Sequence, residues 1–246
     1  MNVIVQKTPR TVILLGGEGL RPNVTSLWDQ IREMATSTDS AISLVYAGVS
    51  PQNRNQHERR IKSTIQALTR LNVAVKVLDT NTANPAEITG IVYLSGTDPV
   101  AIVESLSVTP LWDTICSPER LVIVSSGASV AIGERTFAPV APYPPALNDL
   151  AFQVTAGLGM IPGIMVLPYF GWLQDIIIEK LADLASDLWL VGIDDQAALI
   201  IHRHNWEVAG LGTVTIFKAG ERPQRFDSGM TIPLSILDST SGEDNR

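Results

Sequence analysis

Short apolar runs alternate along the chain with longer segments whose apolar residues recur every three or four positions. The short runs are rich in β-branched residues and predict buried strands, whereas the longer segments predict amphipathic helices. The predicted strands are Val12–Leu15, Ile42–Tyr46, Val73–Leu78, Ile91–Leu94, Leu121–Val124, Ile164–Leu167, Leu188–Ile193, Ala197–Ile201 and Trp206–Phe217. The predicted helices are Thr25–Ala35, His57–Leu71 and Ile176–Ala185, with two more that begin near Asp98 and Ser125.

This alternation predicts an α/β fold with three αβα layers. We expect a mostly parallel sheet with helices on both faces, and a β-hairpin formed by the last two predicted strands. The length of 246 residues, against ~150 per domain, fits one large domain or two small ones. Because no linker is visible, we expect a single α/β domain over residues 1–237, followed by a disordered polar tail over 238–246. The proline-rich stretch 136–147 is predicted to be a loop within the domain.

The charge balance narrows the classes of partner. The chain has 18 basic and 25 acidic residues, a net charge of −7, so we expect no nucleic acid and no membrane surface as partner. One cysteine and three histidines leave little material for a metal site, and we expect no metal and no cofactor. The stretch between Asp149 and Asp175 lacks charge, but its glycines and prolines favour a buried strand over a membrane helix. The N-terminus has no long apolar run, and we expect a cytoplasmic protein.

Polar or small residues follow several of the predicted strands, and ligand sites in open parallel sheets form at such carboxyl ends. Gly16-Gly17-Glu18-Gly19 fits a tight turn better than a phosphate-binding loop, because it matches neither glycine-rich phosphate motif. Gly96-Thr97 either supplies backbone N–H groups to an oxyanion or only precedes a helix that Asp98 caps and Pro99 begins. Asp194-Asp195 either orients a base or ends a strand in solvent.

Ser125 directly follows a buried strand and precedes Ser126-Gly127-Ala128, which begins a helix. This order has the form of a nucleophile elbow, in which a sharp turn exposes a serine oxygen at the sheet edge. The backbone N–H of Ser126 would then stabilise a developing oxyanion. The alternative is that the serines only cap the helix, and the local sequence alone favours that alternative.

Four ordered motifs together resemble the dipeptidase E and cyanophycinase family of serine peptidases, over roughly residues 11 to 219. Ile91-Val-Tyr-Leu-Ser-Gly-Thr-Asp-Pro99, continuing to Ile115, is similar to the family's strand, S-G-G-D-P turn and helix. Ser125-Ser-Gly-Ala128 stands where the family has S-A-G-A, and Gly157-Leu-Gly-Met-Ile-Pro-Gly163 where it has G-L-G-L-L-P-G. Gly192-Ile-Asp-Asp195 stands where it has G-I-D-E. The resemblance implies a class I glutamine-amidotransferase-like α/β fold.

The resemblance also implies site residues. Ser125 stands at the nucleophile position, Tyr169 in place of the family's histidine, and Asp195 at the acid position. Tyrosine has an ordinary pKa near ~10 and is a poor base for a serine hydroxyl at neutral pH. The positions matching the oxyanion and substrate-binding residues are Gly96, Thr97, Ser126 and Asp194.

Further residues depart from the family pattern, and the residue that would act as base in place of the family's histidine is left open. Leu167 replaces the aspartate of the family's D-x-H-F motif, and Ile123 stands where glycine is usual. His57 begins a predicted helix after a strand and could lie on the site's side of the sheet, whereas His202 and His204 are predicted to lie toward the opposite edge.

Three hypotheses follow. The first is a family member with lost or altered peptidase activity, a pseudoenzyme in the extreme case, that keeps a pocket for a small peptide or amino-acid-like ligand. The second is an active serine-type (di)peptidase with a rearranged base. The third is a non-enzymatic interaction protein on the same fold. The resemblance makes a monomer or a homodimer plausible.

Overall fold

The structure is a computed structural model that describes residues 9–17, 28–29, 31–33, 41–48, 54–70, 72–80, 83–140, 150–202 and 205–238. Its strands are β1 (Thr11–Leu15), β2 (Ile42–Ala47), β3 (Val75–Asp79), β4 (Ile91–Gly96), β5 (Leu121–Val124), β6 (Arg135–Pro139), β7 (Phe152–Ala156), β8 (Ile164–Pro168), β9 (Trp189–Ile193), β10 (Ala197–His202), β11 (Asn205–Gly210), β12 (Thr213–Phe217), β13 (Gln224–Asp227) and β14 (Thr231–Ile232).

The helices are α1 (Arg54–Thr69), α2 (Pro99–Leu106), α3 (Pro110–Ile115), α4 (Gly127–Ala131), α5 (Asp175–Leu184) and α6 (Ser235–Asp238). Short 3₁₀ turns cover Pro85–Glu87 and Phe170–Trp172. Of the predicted helix Thr25–Ala35, residues 28–29 and 31–33 are helical, and the others lie outside the described residues. Residues 239–246 of the predicted tail also lie outside them.

Over the described ranges, the larger sheet has eight strands in the order β14-β11-β10-β1-β5-β4-β2-β3. The strands from β1 to β3 in that order are parallel. β10, β11 and β14 pair antiparallel, with β10 lying beside β1. The sheet is therefore mixed, and the expectation of a mostly parallel sheet is wrong. The apolar run Ala197–Ile201 predicts a buried strand correctly, but its composition carries no information on strand direction.

A smaller sheet and a separate pair of strands complete the strand pairing in the described part of the chain. The smaller sheet has the order β13-β12-β9-β8, in which β8 and β9 are parallel and the other pairs antiparallel. β6 pairs antiparallel with β7. Residues 136–139 of β6 belong to the stretch 136–147, which is predicted to be a loop, so the prediction is wrong there. β6 pairs only with β7 in the described residues, and proline is tolerated in such an edge position. Residues 141–149 lie outside the described residues.

The predicted strand Trp206–Phe217 is two strands that belong to different sheets. β11 ends at Gly210 and β12 begins at Thr213, so the chain leaves the larger sheet and enters the smaller one between them. Gly210 has a φ of +95°, which L side chains rarely adopt, and a Cβ there would meet the Gln196 carbonyl oxygen. The apolar periodicity continues across this break, which is why the pattern predicts one strand.

The larger sheet buries apolar side chains on both faces. Val12 and Leu14 belong to one core cluster, whereas Ile13 and Leu15 belong to another. Successive strand residues point to opposite faces, so this alternation places the two clusters on either side of β1. Ile102 and Leu106 of α2 pack in the first cluster, and Leu68 of α1 packs in the second.

None of the helices in the described ranges combines the length and apolarity needed to cross a membrane. Between Asp149 and Asp175 the structure has β7 and β8, and every residue of β8 is buried. The prediction of a buried strand in this stretch is confirmed.

Gly16, immediately after β1, is where the two sheets come together. Its N–H donates to the Ala197 carbonyl at 3.0 Å, and its carbonyl accepts from the Tyr169 N–H at 2.6 Å. A Cβ on Gly16 would lie 2.6 Å from the Ile193 carbonyl oxygen and closer still to that of Asp194. Only glycine allows this approach of backbone to backbone.

We expect Gly16→Ala to destabilise the protein by about 2–3 kcal/mol, because the added methyl overlaps rigid backbone atoms. The midpoint of urea unfolding would measure the loss. Gly171→Ala is the matched control, since its Cβ would meet only the Asp194 carboxylate, at 3.0 Å. Equal losses in the two variants would contradict the close approach at Gly16.

Candidate functional site at the carboxyl edge of the larger sheet

Ser125 follows β5 and is bonded to β4 through both its backbone and its side chain. Its N–H donates to the Leu94 carbonyl at 3.1 Å, and its Oγ donates to Ser95 Oγ at 3.0 Å. The side chains of both serines are buried, and Ser125 is only 2% exposed. The Ser125 hydroxyl is therefore engaged with another hydroxyl at the end of β4.

Ser126 has the backbone strain that characterises an elbow. Its φ of 59° and ψ of −134° lie in a region that residues other than glycine seldom occupy. Ser126 is half-buried and stands at the N-cap of α4, but its side chain makes no capping hydrogen bond. The strained turn thus lies one residue later than the resemblance implies, and helix capping does not account for either serine.

The turn after β4 packs directly against the start of α4. A Cβ on Gly127 would lie 2.8 Å from the Thr97 carbonyl carbon and oxygen, so a glycine is needed there. Asp98 accepts from the N–H groups of Val100 and Ala101, both at 3.1 Å, and Pro99 begins α2. The predicted cap and first helical residue are confirmed. Gly96 and Thr97 thereby lie beside the two serines.

A small polar cleft of about 40 Å³ lies over the two serines. This volume exceeds the ~10–15 Å³ that one water molecule requires. Six of the eight residues that line the cleft are not among the site residues predicted from the sequence. A polar i, i+3, i+4 pattern on α1 is the sequence signal for three of them, and the pairing of β2 with β4 brings Tyr46 opposite Ser95. The lining residues are Tyr46, Arg60, Ser63, Thr64, Tyr93, Ser95, Ser125 and Ser126.

Tyr169, Asp194 and Asp195 form a second group around Gly16 and Gly17. Tyr169 has a left-handed backbone with φ 56° and ψ 31°, and its ring centroid lies 5.8 Å from that of Trp172. A Cβ on Gly17 would overlap Asp195 Oδ1, so the Asp195 side chain lies against the turn after β1. These residues come from the ends of β1, β8 and β9.

Asp194 has a structural hydrogen-bond role in this group. Its Oδ2 accepts from the N–H of Thr213 at 3.0 Å and from the Thr213 hydroxyl at 2.7 Å. The bonds join the end of β9 to the start of β12. Of the two adjacent acids, Asp194 is thus committed to holding the smaller sheet together.

The two groups lie at the same edge of the larger sheet. β1 and β5 are parallel neighbours with Leu14 opposite Val124, so the turn after β1 and Ser125 leave the sheet side by side. Ser129 Oγ of α4 donates to the Leu15 carbonyl at 3.2 Å and ties α4 to the end of β1. The structure joins Ser125 to Ser95 by a hydrogen bond and brings Gly127, which follows Ser126, against Gly96 and Thr97. Tyr169, Asp194 and Asp195 lie beyond β1.

Of the three histidines, His202 is the one whose side chain the structure describes. His202 Nδ1 lies 3.1 Å from Thr11 Oγ1, at the amino end of β1 and therefore at the edge opposite Ser125. The backbone of His57 belongs to α1, but its side chain lies outside the described part of the structure, as does all of His204.

Comparison with known proteins adds a structural neighbour. No family model and no curated protein matches the chain. Among solved structures, it is similar to the crystal structure of a peptidase from an acI-B1 Actinobacterium, with 24% identity and a TM-score of 0.71. The match covers 93% of this chain and 98% of that one. This chain has the fold of that peptidase.

The described residues bear on metal binding and on the reactivity of the single cysteine. Within the described ranges, no group of three His, Cys, Asp or Glu side chains could hold a metal ion. Cys116 is the residue that follows α3, and its side chain is buried. Burial, and then the negative charge of Asp113, raise the pKa of its thiol from 9.0 to about 12.

We expect Ser126→Gly to stabilise the protein by about 1 kcal/mol, because glycine relieves the strained backbone. Ser125→Gly is the matched variant, and it should destabilise by about 1–2 kcal/mol because it leaves Ser95 without its partner. Thermal unfolding of the two variants measures both effects. A loss of stability in Ser126→Gly as large as that in Ser125→Gly would contradict the strain at residue 126.

We expect the Cys116 thiol to resist iodoacetamide at pH 8 while the protein is folded, because only the thiolate reacts and the raised pKa leaves roughly one thiolate in ten thousand. In urea the same thiol should be alkylated completely. Intact mass spectrometry gives both results, and rapid alkylation of the folded protein would show that the thiol is accessible and ionised.

Proposed function

We propose that this protein is a peptidase-fold protein with lost or altered peptidase activity that binds a small peptide or amino-acid-like ligand in the cleft over Ser125 and Ser126. The observation that carries the proposal is the hydrogen bond from Ser125 Oγ to Ser95 Oγ, at 3.0 Å. A serine nucleophile must present its oxygen to a base and to the substrate, and Ser125 presents it to a buried hydroxyl instead.

The residue at the base position supports the loss of ordinary peptidase chemistry. Tyr169 stands where the resembled family has histidine, and a tyrosine hydroxyl remains protonated at neutral pH. Its backbone is held by the bond to Gly16 and its ring contacts Trp172. We also propose that the protein is a member of the dipeptidase E and cyanophycinase family, with three αβα layers and a cytoplasmic location.

The lining of the cleft supports ligand binding. Arg60, whose side chain ends in a guanidinium, lines the cleft together with four residues that carry hydroxyl groups, Tyr46, Ser63, Thr64 and Tyr93. A guanidinium pairs with a carboxylate through two parallel hydrogen bonds, and every amino acid and peptide carries a carboxylate. The net charge of the chain is −7, so the positive charge of Arg60 makes the cleft a favourable position for a carboxylate on a protein that otherwise repels anions.

An active serine hydrolase with a rearranged base is the second candidate, and one observation favours it. The backbone of Ser126 is strained, and strained backbone clusters at functional sites. This candidate predicts turnover of the ligands that the cleft binds.

A panel of amino acids and dipeptides tests the proposal by thermal shift and calorimetry. We expect at least one member to raise the melting temperature, with ~2.7 kcal/mol of stabilisation at one hundred times its Kd. Arg60→Gln should weaken that binding by about tenfold, whereas Arg59→Gln, an exposed neighbour on α1, should not change it.

Hydrolysis of the same panel is followed by mass spectrometry. We expect no turnover that depends on Ser125. Efficient turnover abolished by Ser125→Ala would contradict the proposal, and so would a complete panel without a melting shift.

A further inference from the structure

Two adjacent serines at the end of β5 have opposite properties. Ser125 is 2% exposed, and its hydroxyl donates a hydrogen bond to Ser95 Oγ. Ser126 is half-buried, lines the cleft and makes no capping bond. Its backbone, with φ 59° and ψ −134°, forms the sharp strand-to-helix turn.

We propose that Ser126, and not Ser125, carries the nucleophilic hydroxyl of this cleft, and that it reacts with acyl or phosphonyl electrophiles. The inference rests on the proposed function, since the ligand site is the same cleft. It also explains the strain, because the turn at residue 126 directs a side chain out of the sheet edge, as an elbow does for its nucleophile.

The reaction on an activated ester, whose alcohol is a good leaving group, would be acyl transfer. Ser126 Oγ forms a bond to the carbonyl carbon, the bond from that carbon to the alcohol oxygen breaks, and the hydroxyl proton passes through water to the departing alcohol. Water then attacks the acyl carbon, releases the acid and returns the proton to Ser126 Oγ. Arg60, Tyr46 and Tyr93 line the same cleft. In this proposal their side chains are the source of the donors to the developing oxyanion.

Ser125 acts in this arrangement as a positioning residue. Its N–H bond to Leu94 and its Oγ bond to Ser95 fix the end of β5 against β4. Because residue 125 is anchored in this way, the sharp turn of the backbone from β5 into α4 occurs at residue 126. The hydrogen bond between Ser125 and Ser95 thus keeps the Ser125 hydroxyl engaged, while the backbone angles of residue 126 direct the Ser126 side chain.

The sequence can be matched to the family's elbow motif in two registers, with either Ser125 or Ser126 at the nucleophile position. If Ser125 is matched to the family's nucleophile, Ser126-Gly127-Ala128 follows it; if Ser126 is matched, Gly127-Ala128-Ser129 follows. Both successors consist of small residues, as a close approach of helix and strand requires. The observed backbone angles favour the second register.

A fluorophosphonate probe tests the assignment on the full chain, with the adduct located by intact mass and fragment sequencing. We expect a single adduct on Ser126 in the folded protein, and none after unfolding in urea. Ser126→Ala should lose the adduct by at least a hundredfold in rate, whereas Ser125→Ala should still carry it on Ser126. An adduct on Ser125, an adduct that persists in Ser126→Ala, or no adduct on the folded wild type would overturn the proposal.

A pair of cysteine variants keeps the test independent of the alanine variants. We expect iodoacetamide to alkylate Ser126→Cys at least tenfold faster than Ser125→Cys in the folded state. The native Cys116 provides a low background, since it is buried. Equal rates, or a faster reaction at residue 125, would count against Ser126.

The melting-shift panel separates this inference from the proposed function. Peptide binding without probe labelling would overturn Ser126 as the nucleophile and leave the proposed ligand-binding function intact. Labelling of Ser126 without any peptide binding would establish the nucleophile and overturn the ligand class.

Discussion

The structure depends on the backbone approach at Gly16. At this one residue the end of β1 contacts both the start of β10 and the turn after β8, through bonds to Ala197 and Tyr169. The Ile193 and Asp194 carbonyls fill the space where a side chain would stand. The larger and smaller sheets are joined here without intervening side chains, and the strand ends that carry Tyr169, Asp194 and Asp195 are thereby brought to the edge that carries the two serines.

Features with a local cause could be read from the sequence. Asp98 and Pro99 mark the start of α2 because a capping carboxylate and a preset φ act within one turn of the chain. The run Ile164–Leu167 is confirmed as a strand because its composition and length suit a buried strand. The direction of β10 and the division of β11 from β12 have tertiary causes. They depend on which neighbour each strand meets and on a glycine with a positive φ, neither of which changes the apolar pattern.

The site shows the same division between local and tertiary causes. The sequence predicts chemistry at the end of β5 because a small polar stretch follows an apolar strand. The match to the family motif assigns the nucleophile position to Ser125 and an oxyanion role to Ser126, although two serines in succession satisfy the same local pattern. The difference lies in the bond to Ser95, a residue 30 positions earlier in the chain. Arg60 and Tyr46 are still further away, and the parallel pairing of β2 with β4 brings Tyr46 opposite Ser95.

The path of the C-terminal part of the chain has a consequence for how the molecule comes apart. In the described residues, β9 belongs to the smaller sheet, β10 and β11 to the larger, β12 and β13 to the smaller, and β14 to the larger. Each sheet therefore contains strands whose covalent neighbours belong to the other. Opening either sheet would pull strands out of its companion, so the two should lose their amide protection together, as one cooperative unit.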